Sequence, residues 1–309
     1  MNIAFLGASS QIAKGLIKQF SKNTQNHLTL FIRDYEKFSK WLMAQKISKD
    51  NFTIKQYTEF SVHDQIDVII NCVGVGDPAK ALKMTSSIKS ITRHFDEIAL
   101  QYLYLNPKTK YFFLSSGIAY GNIFSSPARS YAQQNIDVYS TRPEDAYAIS
   151  KVDAEKIHRN LKELSIIDIR IFSYLSDDLD INSKFLISDA LRAIKNSEIL
   201  YTNHKNITRD YISPYDLFQL IIKFIDIASI NTVVDAYSKE PIDKISLLNF
   251  LNENFGLHYE FRDSFEALNA TGSKDNYYSK NFCAESYGFK PKFSSKDIIK
   301  EVAIKLLDN

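Results

Sequence analysis

Glycine is scarce in this chain: nine among 309 residues, with seven prolines, two cysteines and one tryptophan. Those glycine and proline counts exclude a collagen-like or low-complexity chain. Cys72 and Cys283 cannot build a disulfide framework; they are expected to be buried or incidental thiols in a reducing compartment. No apolar run approaches the roughly 18–20 residues of a membrane span, so no membrane partner is expected. The first strand begins so near Met1 that no signal peptide is expected before it, and a cytoplasmic location follows as an expectation. Nor does charge of one sign accumulate. Lys and Arg number 38 against 36 Asp and Glu, a formal net charge of +2, and no basic field argues for nucleic acid. What is abundant is apolar: 45% of residues are hydrophobic and 13% aromatic, enough for one large or two closely joined domains with a substantial core.

Short apolar runs alternate with helical periodicity, which predicts an α/β fold built on a doubly wound parallel sheet. Strands are predicted over 3–6, 28–32, 52–57, 68–72, 111–114 and 167–172, and helices over 12–20, 35–45, 88–103 and 146–164. The last two helices carry apolar residues on more than one face. From 174 to 205 the pattern loosens, with an acidic start at Ser176-Asp-Asp-Leu-Asp180. The run from Asn231 to Tyr237 reads as a strand returning to the sheet, and the chain from about Pro241 onward as helices with loops.

Three segments carry chemistry. After the strand Ile3-Ala-Phe-Leu6 comes Gly7-Ala-Ser9-Ser10-Gln11-Ile12-Ala13, then apolar residues at helical spacing (Ile12, Leu16, Ile17, Phe20). Strand, small-residue turn and helix start a dinucleotide-binding unit: Gly7 permits the turn, Ser10 and Ala13 allow close approach, and the free N–H groups of the helix face a pyrophosphate. Ser10 and Ala13 stand where glycines are usual. The second segment, Tyr111-Phe-Phe-Leu-Ser115-Ser116-Gly-Ile-Ala-Tyr120-Gly121, brings two serines to a strand's carboxyl end, where ligands bind in such sheets. The same serines also suit plain capping. The third is Tyr147-Ala-Ile-Ser-Lys151. Four residues apart on a helix, the two side chains share a face. A lysine ammonium beside the tyrosine is expected to lower the phenol's pKa from ~10 and make it a general acid/base.

Taken in order, these segments resemble the short-chain dehydrogenase/reductase family. Thr208-Arg209-Asp210-Tyr211-Ile212 with Asp216, and the tail Tyr287-Gly288-Phe-Lys-Pro291, resemble its extended branch of nucleotide-sugar epimerases, dehydratases and reductases. The resemblance implies a Rossmann-like domain over 1–172 with 209–238, and a smaller sugar-nucleotide-binding region over 173–208 with 239–309. It implies Ser116, Tyr147 and Lys151 as catalytic residues; Ser116 is favoured over Ser115 by its distance from Tyr120-Gly121. Ser116 would bond the sugar oxygen, Tyr147 transfer the proton, and Lys151 hold the nicotinamide ribose. Gly7, Ser9, Ser10, Gln11, Ile12, Arg33, Asn71 and Gly74, with Tyr147 and Lys151, would line the cofactor. Arg209 and Lys274, with Ser116 and Tyr147, would bind the substrate. A metal is not expected. A homodimer joined through a four-helix bundle is the family habit.

Arg33 stands at the end of the second predicted strand, where NAD-binding units usually carry an acid on the ribose hydroxyls. An arginine there can pair with a 2′-phosphate, with Lys37 adding a second charge, which favours NADP(H). A register one residue later gives the ribose to Asp34 and leaves NAD(H) possible. Gly117-Ile118 occupies the places where the branch's dehydratases carry an Asp-Glu pair, which sets 4,6-dehydration aside. Ser173 replaces the usual asparagine of the loop beside the sugar. Three expectations follow: an NADPH-dependent reductase of a nucleotide-linked 4-keto-6-deoxy sugar in bacterial surface-polysaccharide (O-antigen) synthesis; alternatively an NAD-dependent nucleotide-sugar 4-epimerase; or a non-catalytic nucleotide sensor, disfavoured because Tyr147 and Lys151 are both present.

Overall fold

The computed structural model describes all residues except 46, 75–83, 122–123, 130–135, 137–139, 141, 143–144, 263–273 and 308–309. Seven strands form the central sheet: β1 Asn2–Leu6, β2 His27–Ile32, β3 Phe52–Gln56, β4 Val68–Asn71, β5 Lys110–Ser116, β6 Ile166–Ile171 and β7 Asn231–Ala236. Their order is β7-β6-β5-β4-β1-β2-β3, and every pairing is parallel. The chain moves outward through β1, β2 and β3, then crosses back to β4 on the other side of β1. The β1/β4 boundary is therefore the switch point, where the turns beyond the strand ends diverge and leave a crevice.

The residues dictate this sheet. Alternate side chains of β1 enter opposite layers: Ile3 and Phe5 join the core beneath helices α1 (Gln11–Phe20) and α2 (Tyr35–Ala44), while Ala4 and Leu6 join the core of the other face. That second layer is covered by α3 (Thr85–Leu105) and α4 (Ala146–Asn160). Strands buried on both faces must be apolar throughout, which is why β4, Val-Ile-Ile-Asn, reads as a continuous run. Each buried Phe or Ile contributes roughly 1.5–3 kcal/mol.

Helix ends follow capping chemistry. Ser10 Oγ accepts from the Ala13 N–H at the start of α1. Asp34 Oδ1 accepts from the Lys37 N–H at the start of α2, 3.1 Å away. The central-sheet predictions hold within a residue or two. Two regions differ from expectation. The segment 174–205 contains α5 (Leu186–Asn196) and the strand Ile199–Thr202. Beyond Pro241, besides α7 (Lys244–Phe255) and α8 (Ser295–Leu307), lie the short strands Ile242–Asp243, His258–Phe261 and Asn276–Tyr277. Between these regions, α6 (Pro214–Ile225) starts on a Ser213 cap with proline in its first turn.

Leu191, Leu247, Leu248, Leu251, Ile299 and Val302 gather these later elements into a separate apolar cluster. One short ladder matters for the site. Asn276–Tyr277 pairs in parallel with Thr208–Arg209, placing Tyr277 opposite Arg209.

Candidate active site

The crevice at the switch point begins with Gly7, whose φ of +80° is a left-handed conformation that suits glycine. A Cβ there would sit 3.0 Å from Cys72 C and Val73 N, so the turn after β1 lies directly against the turn after β4. Ser9 is exposed, while Ser10, Gln11 and Ile12 are half-buried at the start of α1. Gln11 Nε2 donates to Ser176 Oγ at 3.4 Å, tying this helix start to the acidic loop. Asn71 ends β4; its Nδ2 donates to Tyr111 Oη at 2.9 Å and its Oδ1 accepts from the Val73 N–H at 3.0 Å. Gly74 follows, where a Cβ would come within 3.7 Å of Lys151 Nζ. Gly7, Asn71, Gly74 and Lys151 thus converge at the switch point.

Arg33 lies at the end of β2 and is exposed. Asp34 is also exposed, but its carboxylate is engaged in capping α2. Burial pushes the Tyr57 phenol up to about 12, against the opposing pull of the Gly7 backbone and the Arg33 charge.

The proposed triad assembles across two elements. Ser116 is the last residue of β5, and Tyr147 sits in the first turn of α4. The Ser116 hydroxyl acts on the Tyr147 phenol, favouring its ionised form. Ser115, the competing serine, points elsewhere and donates to Glu155 Oε1 at 2.5 Å. Lys151 is 2% exposed. Its Nζ donates to Leu114 O at 2.8 Å and lies 4.4 Å above the Phe113 ring.

One expectation fails. Burial raises the Tyr147 phenol above its ordinary value, and only the Ser116 hydroxyl opposes that. The Lys151 ammonium is 5.8 Å from the Tyr147 ring centre and is committed to Leu114 O, so it does not hold the phenol down. Burial instead lowers Lys151 itself to about 8, against the pull of Asp96, Glu155 and Asp168.

Tyr277 stands at the centre of the other half of the site and was not foreseen. Its Oη is 3.2 Å from Ser116 Oγ. The Lys274 ammonium lies 4.7 Å and the Arg209 guanidinium 5.9 Å from its ring centre. Phe124 and Phe172 pack its edges. Burial raises its phenol further than any neighbour lowers it.

Lys274 is 5% exposed and makes no ion pair among the described residues. Burial, then Arg209, pull its ammonium down to about 7. Arg209 is anchored through Nη1 to Thr208 O and Lys274 O, each at 2.8 Å. It does not pair with Asp210, which accepts from Ser238 N–H and Ser295 Oγ inside the core. Asp275 pairs with Lys205 at 2.6 Å. Buried Lys274 and half-buried Arg209, neither paired with a carboxylate among the described residues and both beside the Tyr277 ring, suit an anionic group such as a diphosphate.

A dinucleotide fits the first half. The Gly7 turn has no side chain to obstruct it, the α1 N-terminus faces the crevice, and no carboxylate bonds Lys151 among the described residues. No group of His, Cys, Asp or Glu able to hold a metal occurs among the described residues, and no described helix is long and apolar enough to cross a membrane.

Comparison with known proteins gives consistent results. The family model described as "NAD dependent epimerase/dehydratase family" matches residues 3–234. A search of curated protein sequences finds no significant match. Solved structures share the fold at low identity. UDP-N-acetylglucosamine 4-epimerase from Methanobrevibacter ruminantium M1 superposes with a TM-score of 0.81 at 15% identity, covering 99% of this chain and 98% of that one. UDP-glucose 4-epimerase from Thermotoga maritima gives 0.77 at 14%, covering 100% and 99%. UDP-glucuronic acid 4-epimerase from Bacillus cereus, in complex with UDP-glucuronic acid and NAD, gives 0.76 at 14%, again covering 100% and 99%.

Proposed function

This chain belongs to the NAD dependent epimerase/dehydratase family, and we propose that it is an NAD-dependent 4-epimerase of a nucleotide-linked sugar. The observation that carries the proposal is the meeting of two half-sites at one hydrogen bond. Ser116, Tyr147 and Lys151 lie on the sheet side, and Arg209 and Lys274 lie behind Tyr277, which reaches Ser116. A nucleotide sugar bridging them would place its diphosphate near the two cations and its sugar near the hydroxyls. A nicotinamide cofactor supplies hydride acceptance and return. Tyr147, with Ser116 holding the same oxygen, would take and give back the hydroxyl proton. Lys274, half-charged near neutral pH, would regain its proton beside a diphosphate. The three similar structures are 4-epimerases, which supports this reading over net reduction. The division into a nucleotide-binding part, 1–172 with 209–238, and a sugar-binding part, 173–208 with 239–309, belongs to the same proposal.

The second reading is the NADPH-dependent reductase of a 4-keto-6-deoxy sugar, and the β2 terminus favours it. Asp34 caps α2 while Arg33 and Lys37 are both exposed, charges suited to a 2′-phosphate. Mass spectrometry of the nucleotide released from the purified protein, with NADH and NADPH titrations, separates the two. Retained NAD supports the epimerase. Exchangeable NADPH, bound much more weakly by Arg33→Ala while NADH is unaffected, supports the reductase and overturns the first reading.

A further inference from the structure

A buried line of polar side chains runs from Asn71 into the layer beneath α3 and α4, and the chemistry above does not use it. Tyr111 Oη donates to Asp96 Oδ1 at 2.7 Å. His158 Nε2 lies 2.9 Å from the same Asp96 oxygen, and Nδ1 lies 2.7 Å from Asp168 Oδ1. Asp168 also accepts from Arg159 at 2.7 Å. His158, Tyr111 and Asp168 are each 0% exposed, and Asp96 is 3% exposed.

Donor and acceptor accounting gives this line a direction. Both imidazole nitrogens face carboxylates, so both donate and the ring is a cation. Asp96, facing that cation, accepts the hydrogen bond of the single Tyr111 O–H. The Tyr111 oxygen can then only accept, and it accepts from Asn71 Nδ2. The Asn71 amide is thereby fixed with its oxygen toward the Val73 N–H, which it bonds at 3.0 Å. That bond shapes the turn through Cys72 and Val73, the backbone pressed against Gly7, and leads to Gly74 beside Lys151.

We infer that Tyr111, Asp96 and His158 are positioning residues for the cofactor, acting through Asn71 to hold the β4 turn in the shape the dinucleotide requires. The inference rests on the dinucleotide-binding part of the proposed function. A buried ionic group is a poor device for stability alone, since well-packed apolar residues often serve as well. What it provides here is one orientation of one amide at the wall of the crevice. Small displacements of such a wall are costly to binding.

Tyr111→Phe tests this because it keeps the ring and deletes only the hydroxyl. NAD(H) titration of the full chain, followed by fluorescence, should show a Kd raised roughly three- to tenfold, the range of one lost hydrogen bond. Asn71→Ala should raise Kd as well, and the double variant should bind no worse than Asn71→Ala alone. Leu248→Ala, in the separate C-terminal cluster, should lower the melting temperature without changing Kd, so that lost stability is distinguished from lost positioning. An unchanged Kd in Tyr111→Phe, or additive losses in the double variant, overturns the inference. If Tyr111→Phe does not fold, His158→Gln is read by the same criteria. A wild-type protein binding neither NAD(H) nor NADP(H) overturns the dinucleotide reading itself, and this inference with it.

Discussion

Tyr147 carries the proton in the proposed chemistry, yet burial alone makes its phenol a weaker acid than usual. Replacing Tyr147 with Phe should abolish turnover, leaving less than about a hundredth of it, while cofactor Kd changes little. Turnover assays and nucleotide titration check both halves. Lys151 gives the pH dependence. With its pKa lowered to about 8, the ammonium is present below that pH and lost above it. The kcat/KM profile should therefore fall as pH rises through about 8, and a flat profile from pH 7 to 9.5 would contradict the role. Ser116, Tyr147, Lys151, Gly7 and Arg209 were legible as candidates because they stand in short motifs and in segments that resemble the family. Tyr277 was not, because it reaches Ser116 only through a two-residue ladder with Thr208–Arg209 far away in the chain. Nor could spacing say that Lys151 turns its ammonium to Leu114 O rather than to the tyrosine.

The short 3-10 turn Gly117–Tyr120 follows Ser116 and is tightly confined. A Cβ on Gly117 would overlap the Phe172 ring, so the turn packs where a side chain would stand. Gly117→Ala should destabilise the fold by about 1–3 kcal/mol through overpacking and displace Ser116. Denaturant titration and KM should both move, and wild-type stability would contradict the packing account. Elements with strong local signals were legible: the apolar runs of the sheet, the small-residue turn before α1 and the apolar spacing of α1 itself. Helix α5 was not, because Phe185 at its N-cap offers no side-chain bond and Ser197, rather than glycine, ends it at φ 56°. The strands of two residues were equally silent, since tertiary pairing rather than local preference makes them.

Stability of the molecule should follow the His158 imidazolium. Burial opposes its charge, but Asp168 and Asp96 prevail and raise its pKa to about 10 from 6.5. A raised pKa on a base stabilises the folded state fully below 6.5 and loses that contribution as pH rises through about 10. The melting temperature should therefore decline from pH 7 to 10, and less steeply in His158→Gln; equal slopes would contradict the assignment. Tyr104 and Leu105 on α3 and Ile157 on α4 are exposed apolar residues, the surface that a pairing of two chains through these helices would cover. Ile157→Asp should then yield monomers by sedimentation, and an unchanged state would refute that interface. The most direct measurement is NMR of UDP-hexoses incubated with the purified protein. The account predicts conversion at C4 to a mixture of both epimers with no net change in bound NAD. Stoichiometric NADPH oxidation on a 4-keto-6-deoxy nucleotide sugar, with no epimerisation of any UDP-hexose, would contradict it.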